Sequence, residues 1–403
     1  MSPDPPCIKS VSSLSWAPSP RSRNDSEGGL MRALITSDCH VGAPYSVLDE
    51  LPESYRRWFP RLEMRDDGGY LVTPAPQQMM GVAEPTAVMV VGDESVRIAI
   101  GAADEAKASF EPAEVLADLA RDGVGGAVLV GRVAVGYDTM PVDADIAYCE
   151  VVNDWTADHW GPYMDRVAPG IILPYRDVGA CVRELERCAA KGMRPALLPD
   201  AIGTQPYHLP IWEPLWEAAS ALKVPITMHV GGTRQPPNPN WPSEPYKGLA
   251  FVGWYNQCVG MGETLGWLTF SGVFERYPDL HVIMTEGYAG WLAFAVQFWD
   301  HHWTDTRFKS IANFGDWAVT LDAPPSYYLK RQAHATFMWD PLAIQVREIT
   351  GIDCLLWGND YPHREGSFPY SQEWIDKQFA GVAEGDVDAI VRGNAAKLFG
   401  LTI

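Results

Sequence analysis

The sequence predicts an α/β chain folded as one (β/α)8 TIM barrel, and three observations carry that prediction. Short apolar runs alternate with amphipathic stretches eight times, a Gly or Pro marks the handovers, and four of the runs end in His, Asp or Glu. Parallel strands closed into a barrel bring such ends to one face, where barrel enzymes place their chemistry. No GxGxxG follows a strand, so a dinucleotide-binding sheet has no support.

Residues 1–30 are rich in Pro, Ser and Arg without hydrophobic period and are expected to be a disordered tail; the barrel is assigned to residues 31–403. The first strand spans about 33–40. An insertion of about 42–105 follows, with a hairpin expected from Ala87–Val91 and Ser95–Ile100. The helix Pro112–Arg121 then leads through the Asp122-Gly123 turn to a strand at Ala127–Val130. The pairs that follow are helix Asp143–His159 with strand Val167–Leu173, and helix Val178–Ala190 with strand Pro195–Leu198. The helix Ile211–Leu222 leads to Pro225–His229. Gly231–Lys247 carries five prolines and reads as a lid or binding loop. A helical pattern over Leu249–Tyr277 precedes strand His281–Glu286, helix Ala289–Trp303, strand Ala335–Trp339, helix Leu342–Ile349 and strand Cys354–Gly358.

Of 403 residues, 47% are hydrophobic, enough for a large interior, and the formal charge of -20 argues against nucleic acid or an anionic membrane as partner. No apolar stretch of transmembrane length and no basic-then-apolar leader stand out, so a cytoplasmic protein is expected. The seven cysteines are scattered without CxxC pairs, which argues against a disulfide framework or zinc ribbon. Most of the 16 tryptophans are packing, although Trp291, beside the sixth strand end, is a candidate pocket wall.

In a strand alternate side chains share a face, so Asp38 and His40 project together while Cys39 points away. With His229, Glu286 and Asp360 at three other strand ends, they make a set of imidazoles and carboxylates that is a metal site before it is anything else. Asp-x-His can also be a structural pair, and Glu286 can orient a histidine instead of binding metal. His363 reads as a further ligand or a general acid. His301 and His302 read as a surface pair on a helix, and His334 lies at the strand end opposite the chemistry. Arg56, Arg57 and Arg61 form a short basic group with Tyr55, Trp58 and Phe59 in the insertion, either a solvated helix face or an anchor for a carboxylate or phosphate.

Taken together these residues resemble the amidohydrolase superfamily, in its branch related to aminocarboxymuconate-semialdehyde decarboxylase. The motifs are Asp38-x-His40, His229, Glu286-Gly287, Trp357-Gly358-Asn359-Asp360-Tyr361-Pro362-His363 and the closing Gly393-Asn394-Ala395-Ala396-Lys397-Leu398-Phe399-Gly400. The resemblance covers roughly residues 33–401 and implies Asp38, His40, His229 and Asp360 as ligands of a divalent metal, with association into homo-oligomers. Two departures stand out: the branch usually has His after strand six where this chain has Glu286, and its strand-one motif, often His-x-His, is Asp38-x-His40 here. Leu197 and Leu198 also stand where other amidohydrolases carry a metal-bridging lysine.

The added carboxylate makes the set similar to the TIM-barrel nonheme diiron monooxygenases of secondary metabolism, such as the hydroxylase of platensimycin biosynthesis. That resemblance implies two irons held by Asp38, His40, His229, Glu286, Asp360 and His363, a bulky apolar substrate, possible linkage to coenzyme A as an acyl-CoA, and a separate electron donor. On sequence alone this oxygen-activating function is favoured. The alternative is decarboxylation or hydrolysis of a small carboxylic acid at one Mn or Zn, with His363 or Glu286 handling the proton. A barrel keeping a metal for stability alone is disfavoured, because clustered carboxylates at a barrel mouth are costly without compensation.

Overall fold

Eight parallel strands form the barrel in the computed structural model, which describes residues 32–59, 61–64, 69–73, 88–91, 110–131, 140–230, 249–304 and 321–403. Strand β1 (Leu34–Cys39) pairs with β5 (Val124–Leu129), which pairs with β6 (Val167–Pro169). The third barrel strand is broken at Gly170 and resumes as β7 (Ile171–Ile172), whose partner is β8 (Ala196–Pro199). The order continues through β9 (Ile226–His229), β10 (Val282–Thr285), β11 (Ala333–Phe337) and β12 (Leu355–Trp357). A parallel bridge between Cys39 and Tyr361 joins the last strand to the first.

Nearly every strand residue is buried, as expected for parallel strands covered on both faces. The break at Gly170 has a steric cause. Its N–H donates to Leu129 O, and a Cβ there would stand 2.5 Å from that carbonyl, so the strand changes partner where backbones approach closely. The amphipathic helices follow the predicted order, and Asp177 caps the helix Val178–Ala189 by accepting from Ala180 N at 2.8 Å.

Several expected elements shift. The second barrel strand begins at Val124, three residues before the predicted start, and the seventh occupies Ala333–Phe337, two residues earlier than predicted. The predicted Leu249–Tyr277 helix is two, Leu249–Phe270 and Val273–Arg276, because Gly272 takes φ 76°. The predicted Leu342–Ile349 helix likewise divides into Pro341–Gln345 and Arg347–Thr350. In the insertion, β2 (Arg61–Met64), β3 (Gly69–Thr73) and β4 (Val88–Val91) form a small antiparallel sheet. The strand expected at Ala87–Val91 is present but pairs with β3; its expected partner Ser95–Ile100 lies outside the described residues. The tail and the Gly231–Lys247 loop also lie outside them. Among the described residues no helix is long and apolar enough to cross a membrane, and all six cysteines are free and buried.

Asp145, in the first turn of the helix Val142–Trp160, is 2% exposed and its Oδ2 accepts no hydrogen bond. Burial, opposed by the Arg176 charge, pushes its carboxyl from 3.8 up to about 7. The protonated form is therefore the one the fold favours. That contribution is full below pH 3.8 and is lost as pH rises through about 7. Asp145→Asn is expected to raise Tm at pH 8 by an amount equivalent to about 2–4 kcal/mol, and to raise it little at pH 4. Thermal melts at the two pH values check this; an equal change at both would contradict it.

Candidate metal centre

The donor residues sit on the ends of four strands. Asp38 and His40 share a face of β1 and the residue beyond it, His229 ends β9, Glu286 follows β10, and Asp360 follows β12. Two of these positions are strained. Glu286 has φ 60° and Asp360 φ 55°, left-handed backbone that side-chain-bearing residues adopt rarely and that clusters at functional sites. The surroundings hold them there: Glu286 N donates to Thr336 Oγ1 at 2.8 Å, and Asp360 N to Asp38 O at 3.1 Å. Thr36 Oγ1 ties β1 to β12 by accepting from Asn359 N at 2.9 Å.

The side chains converge closely. His40 Nε2 lies 3.1 Å from Asp360 Oδ1, 3.3 Å from Asp38 Oδ1 and 3.7 Å from Glu286 Oε2, and 3.2 Å from His229 Nε2. His229 Nε2 is 3.1 Å from Glu286 Oε2. His363 Nδ1 is 2.9 Å from Asp360 Oδ1, and its ring stacks on His40 with centroids 4.2 Å apart. Six residues thus supply donors in two overlapping groups: Asp38, His40, His229 and Glu286 in one, His40, Glu286, Asp360 and His363 in the other.

Charge is shared tightly here. Burial opposes ionisation of both imidazoles. At His40 the Asp38 charge and polar contacts with Asp360, Asp38 and Glu286 outweigh it and raise the pKa well above the ordinary value. At His229 Glu286 has the same effect. Burial would also raise Glu286, but its contacts with His229 and His40 hold it well below the carboxylate range, whereas burial wins at Asp38 and raises it.

Two observations fit this set to a divalent cation. Asp38 Oδ1, despite its 3.3 Å approach to His40, lacks hydrogen-bond alignment, and Asp360 Oδ2 has no partner either; both are buried. Buried carboxylate oxygens without donors want a cation. His229 Nδ1 lies 2.8 Å from Val230 O. A carbonyl only accepts, so Nδ1 carries a proton in either charge state, and in the neutral imidazole the lone pair is on Nε2, facing the cluster, the tautomer a metal-binding imidazole needs.

Beside the donors lies a narrow crevice lined by Asp38, Glu286, Tyr288, Thr336, Phe337, Met338 and Gly358. Sequence reasoning missed Tyr288, Thr336 and Met338, which belong to no motif. Trp291 is not in that lining; its Nε1 donates to Gly287 O and Tyr288 O and so braces the turn behind Glu286. Arg56 is buried and engaged by Asp49 at 3.1 Å and the Phe59 carbonyl, while Arg57 is exposed over the Trp58 ring. His334 is paired with His281 at 3.0 Å, and His302 Nδ1 donates to Phe298 O of its own helix.

Parallel strands with histidines and carboxylates at their C-terminal ends define a metal-site barrel enzyme. A family profile described as Amidohydrolase matches residues 38–401, and the chain belongs to that family. Among curated proteins it is 27% identical to the γ-resorcylate decarboxylase of a Rhizobium species over 267 residues, 62% of this chain and 75% of that one. Among solved structures it is similar to an amidohydrolase from Mycobacterium avium subsp. paratuberculosis, with TM-score 0.66, 18% identity and coverage of 93% of this chain and 100% of the other. It is also similar to 5-carboxyvanillate decarboxylase from Novosphingobium aromaticivorans with bound manganese, at TM-score 0.66, 18% identity and coverage of 92% and 97%.

Proposed function

We propose that this chain is a divalent-metal-dependent decarboxylase of small aromatic carboxylic acids. The observation that carries the proposal is the pair of buried carboxylate oxygens without a hydrogen-bond partner, Asp38 Oδ1 and Asp360 Oδ2, on two residues that cluster with His40, His229 and His363. Kinship with γ-resorcylate decarboxylases supports carbon dioxide release over the oxygen activation that the sequence alone favoured. Asp38, His40, His229 and Asp360 are assigned as the ligands, with manganese as the metal after the manganese-bound structural relatives. When bound, the cation polarises oxygen atoms of the substrate and compensates the acidic cluster.

The chain's own residues supply the rest. His363 is assigned as the proton donor. Asp360 Oδ1 accepts from its Nδ1 and orients the ring, and partial exposure lets it recover a proton from solvent. A proton passed from His363 to the ring carbon that bears the carboxylate breaks the carbon–carbon bond, releases carbon dioxide and leaves His363 neutral. Glu286, ionised between His40 and His229, keeps both imidazoles aimed at the cluster.

One observation favours a second reading. The six donors form two groups that share His40 and Glu286, an arrangement suited to two metals with a bridging carboxylate. This is the dinuclear iron reading, with dioxygen, an external electron donor and an acyl-CoA or other bulky acid as co-reactants.

Elemental analysis of protein purified without chelators, followed by assay of carbon dioxide release from 2,6-dihydroxybenzoate, separates the two. About one manganese or zinc per chain with oxygen-independent release is expected. About two irons per chain with oxygen uptake would overturn the decarboxylase reading.

A further inference from the structure

Tyr288 lies two residues beyond Glu286, in a turn of unusual strain. Its φ is 57°, and Glu286 before it has φ 60°. For an aromatic residue that conformation is a genuine outlier, and it persists only where the surroundings over-determine it. Gly287, between the two, has no room for a side chain, since a Cβ would stand 2.1 Å from Met261 Sδ.

The turn is held from several sides. Thr336 Oγ1 accepts from Glu286 N at 2.8 Å; Asp340 Oδ2 accepts from Ala289 N and Gly290 N at 2.9 and 2.8 Å; Trp291 Nε1 donates to Gly287 O and Tyr288 O at 2.9 and 3.1 Å. All of these contacts fix backbone. The Tyr288 hydroxyl has no hydrogen-bond partner among the described residues, although the ring is half-buried and lines the cleft beside Asp38 and Glu286.

The rest of the lining narrows the choice of donor. Asp38 and Glu286 can only accept when ionised, Thr336 keeps an O–H to donate but is 1% exposed with its Oγ1 holding the turn, and Phe337, Met338 and Gly358 carry no polar hydrogen on their side chains. We propose that Tyr288 is the substrate-anchoring donor of this cleft, its hydroxyl hydrogen-bonding one oxygen of a carboxylate held beside the donor cluster. The strained turn is then the device that delivers a phenol to the cleft from the strand end that also delivers Glu286. The assignment rests on the carboxylic-acid reading for its ligand class, but not on decarboxylation itself.

The test uses the full-length, manganese-loaded protein and calorimetric titration with 2,6-dihydroxybenzoate, benzoate and acetate. Tyr288→Phe is expected to weaken each acid that the wild type binds by about 10-fold, as for a lost hydrogen bond to a charged group, with the manganese-to-chain ratio unchanged. Tyr288→Asn, whose side chain tolerates left-handed backbone, is expected to keep or raise Tm while showing the same weakened binding. A purely structural tyrosine would move Tm and spare affinity. Wild-type affinity in Tyr288→Phe overturns the assignment, as does failure of the wild type to bind any of the three acids. If acetate and benzoate bind in a Tyr288-dependent way while the wild type releases no carbon dioxide from 2,6-dihydroxybenzoate, the anchor stands and the decarboxylase proposal falls.

Discussion

His40→Ala is expected to leave the purified protein with less than about a tenth of the wild-type metal and with turnover lowered at least ~1000-fold, beyond the 10–100-fold that loss of an outer partner costs. His40 belongs to both donor groups and lies within 3.7 Å of all three carboxylates. Without it Asp38, Glu286 and Asp360 share one face with His229 as the remaining imidazole of the first group. Removing one partner from such a buried arrangement leaves charge uncompensated, at about 3–5 kcal/mol, so the metal-free variant should also melt earlier than the metal-free wild type. Elemental analysis and melts after chelation measure the two effects separately. Full metal occupancy in the variant would remove His40 from the ligand set.

Gly366→Ala is the second large effect, and it needs no donor to change. A Cβ at Gly366 would stand 2.3 Å from Asn359 O, 3.0 Å from His363 O and 3.1 Å from Asp360 O. These are backbone atoms of the loop that carries Asp360 and His363, already tied by Ser367 N donating to Asn359 O and Gly366 N to His363 O. The loop must move to admit a methyl group. Overpacking of this kind costs about 1–3 kcal/mol, and a displaced Asp360 should weaken metal binding about 10-fold or more. Gly385→Ala is the control: it has open space around its Cβ, lies in the short helix Glu384–Asp388, and should change stability by no more than about 1 kcal/mol. Equal behaviour of the two variants, in melts and metal titrations, would contradict the argument.

The barrel and the gathering of imidazoles and carboxylates at its strand ends were legible because both depend on local pattern. Alternation within β1 orients Asp38 with His40, and the period of the helices marks where each strand must return. What stayed hidden depends on tertiary approach. Nothing in the Glu286-Gly287-Tyr288 triplet announces two left-handed residues around a glycine crowded by Met261. Asp122 reads as half of a turn, yet it is 2% exposed and accepts from Ser371 N at 2.9 Å and from Asn359 Nδ2 at 3.3 Å. It thereby buttresses the residue before Asp360 through contacts 237 and 249 positions away in sequence. The division of the helix expected over Leu249–Tyr277 was legible in principle, since Gly272 is the residue that ends it.

The junction of β1 with β12 gives the fold a further property. There the cylinder is closed by the Cys39–Tyr361 bridge and by His40 N donating to Tyr361 O and Asp360 N to Asp38 O, a short zipper between the two ends of the chain. Asp38 and His40 stand on one side of that zipper and Asp360 on the other. An ion gripped by all three would act as a rivet across a loop of more than three hundred residues, so that occupancy and closure become one equilibrium. Cells short of the ion would then hold a barrel whose first opening is at this edge, exposing the β1 and β12 amides before those of β9 and β10.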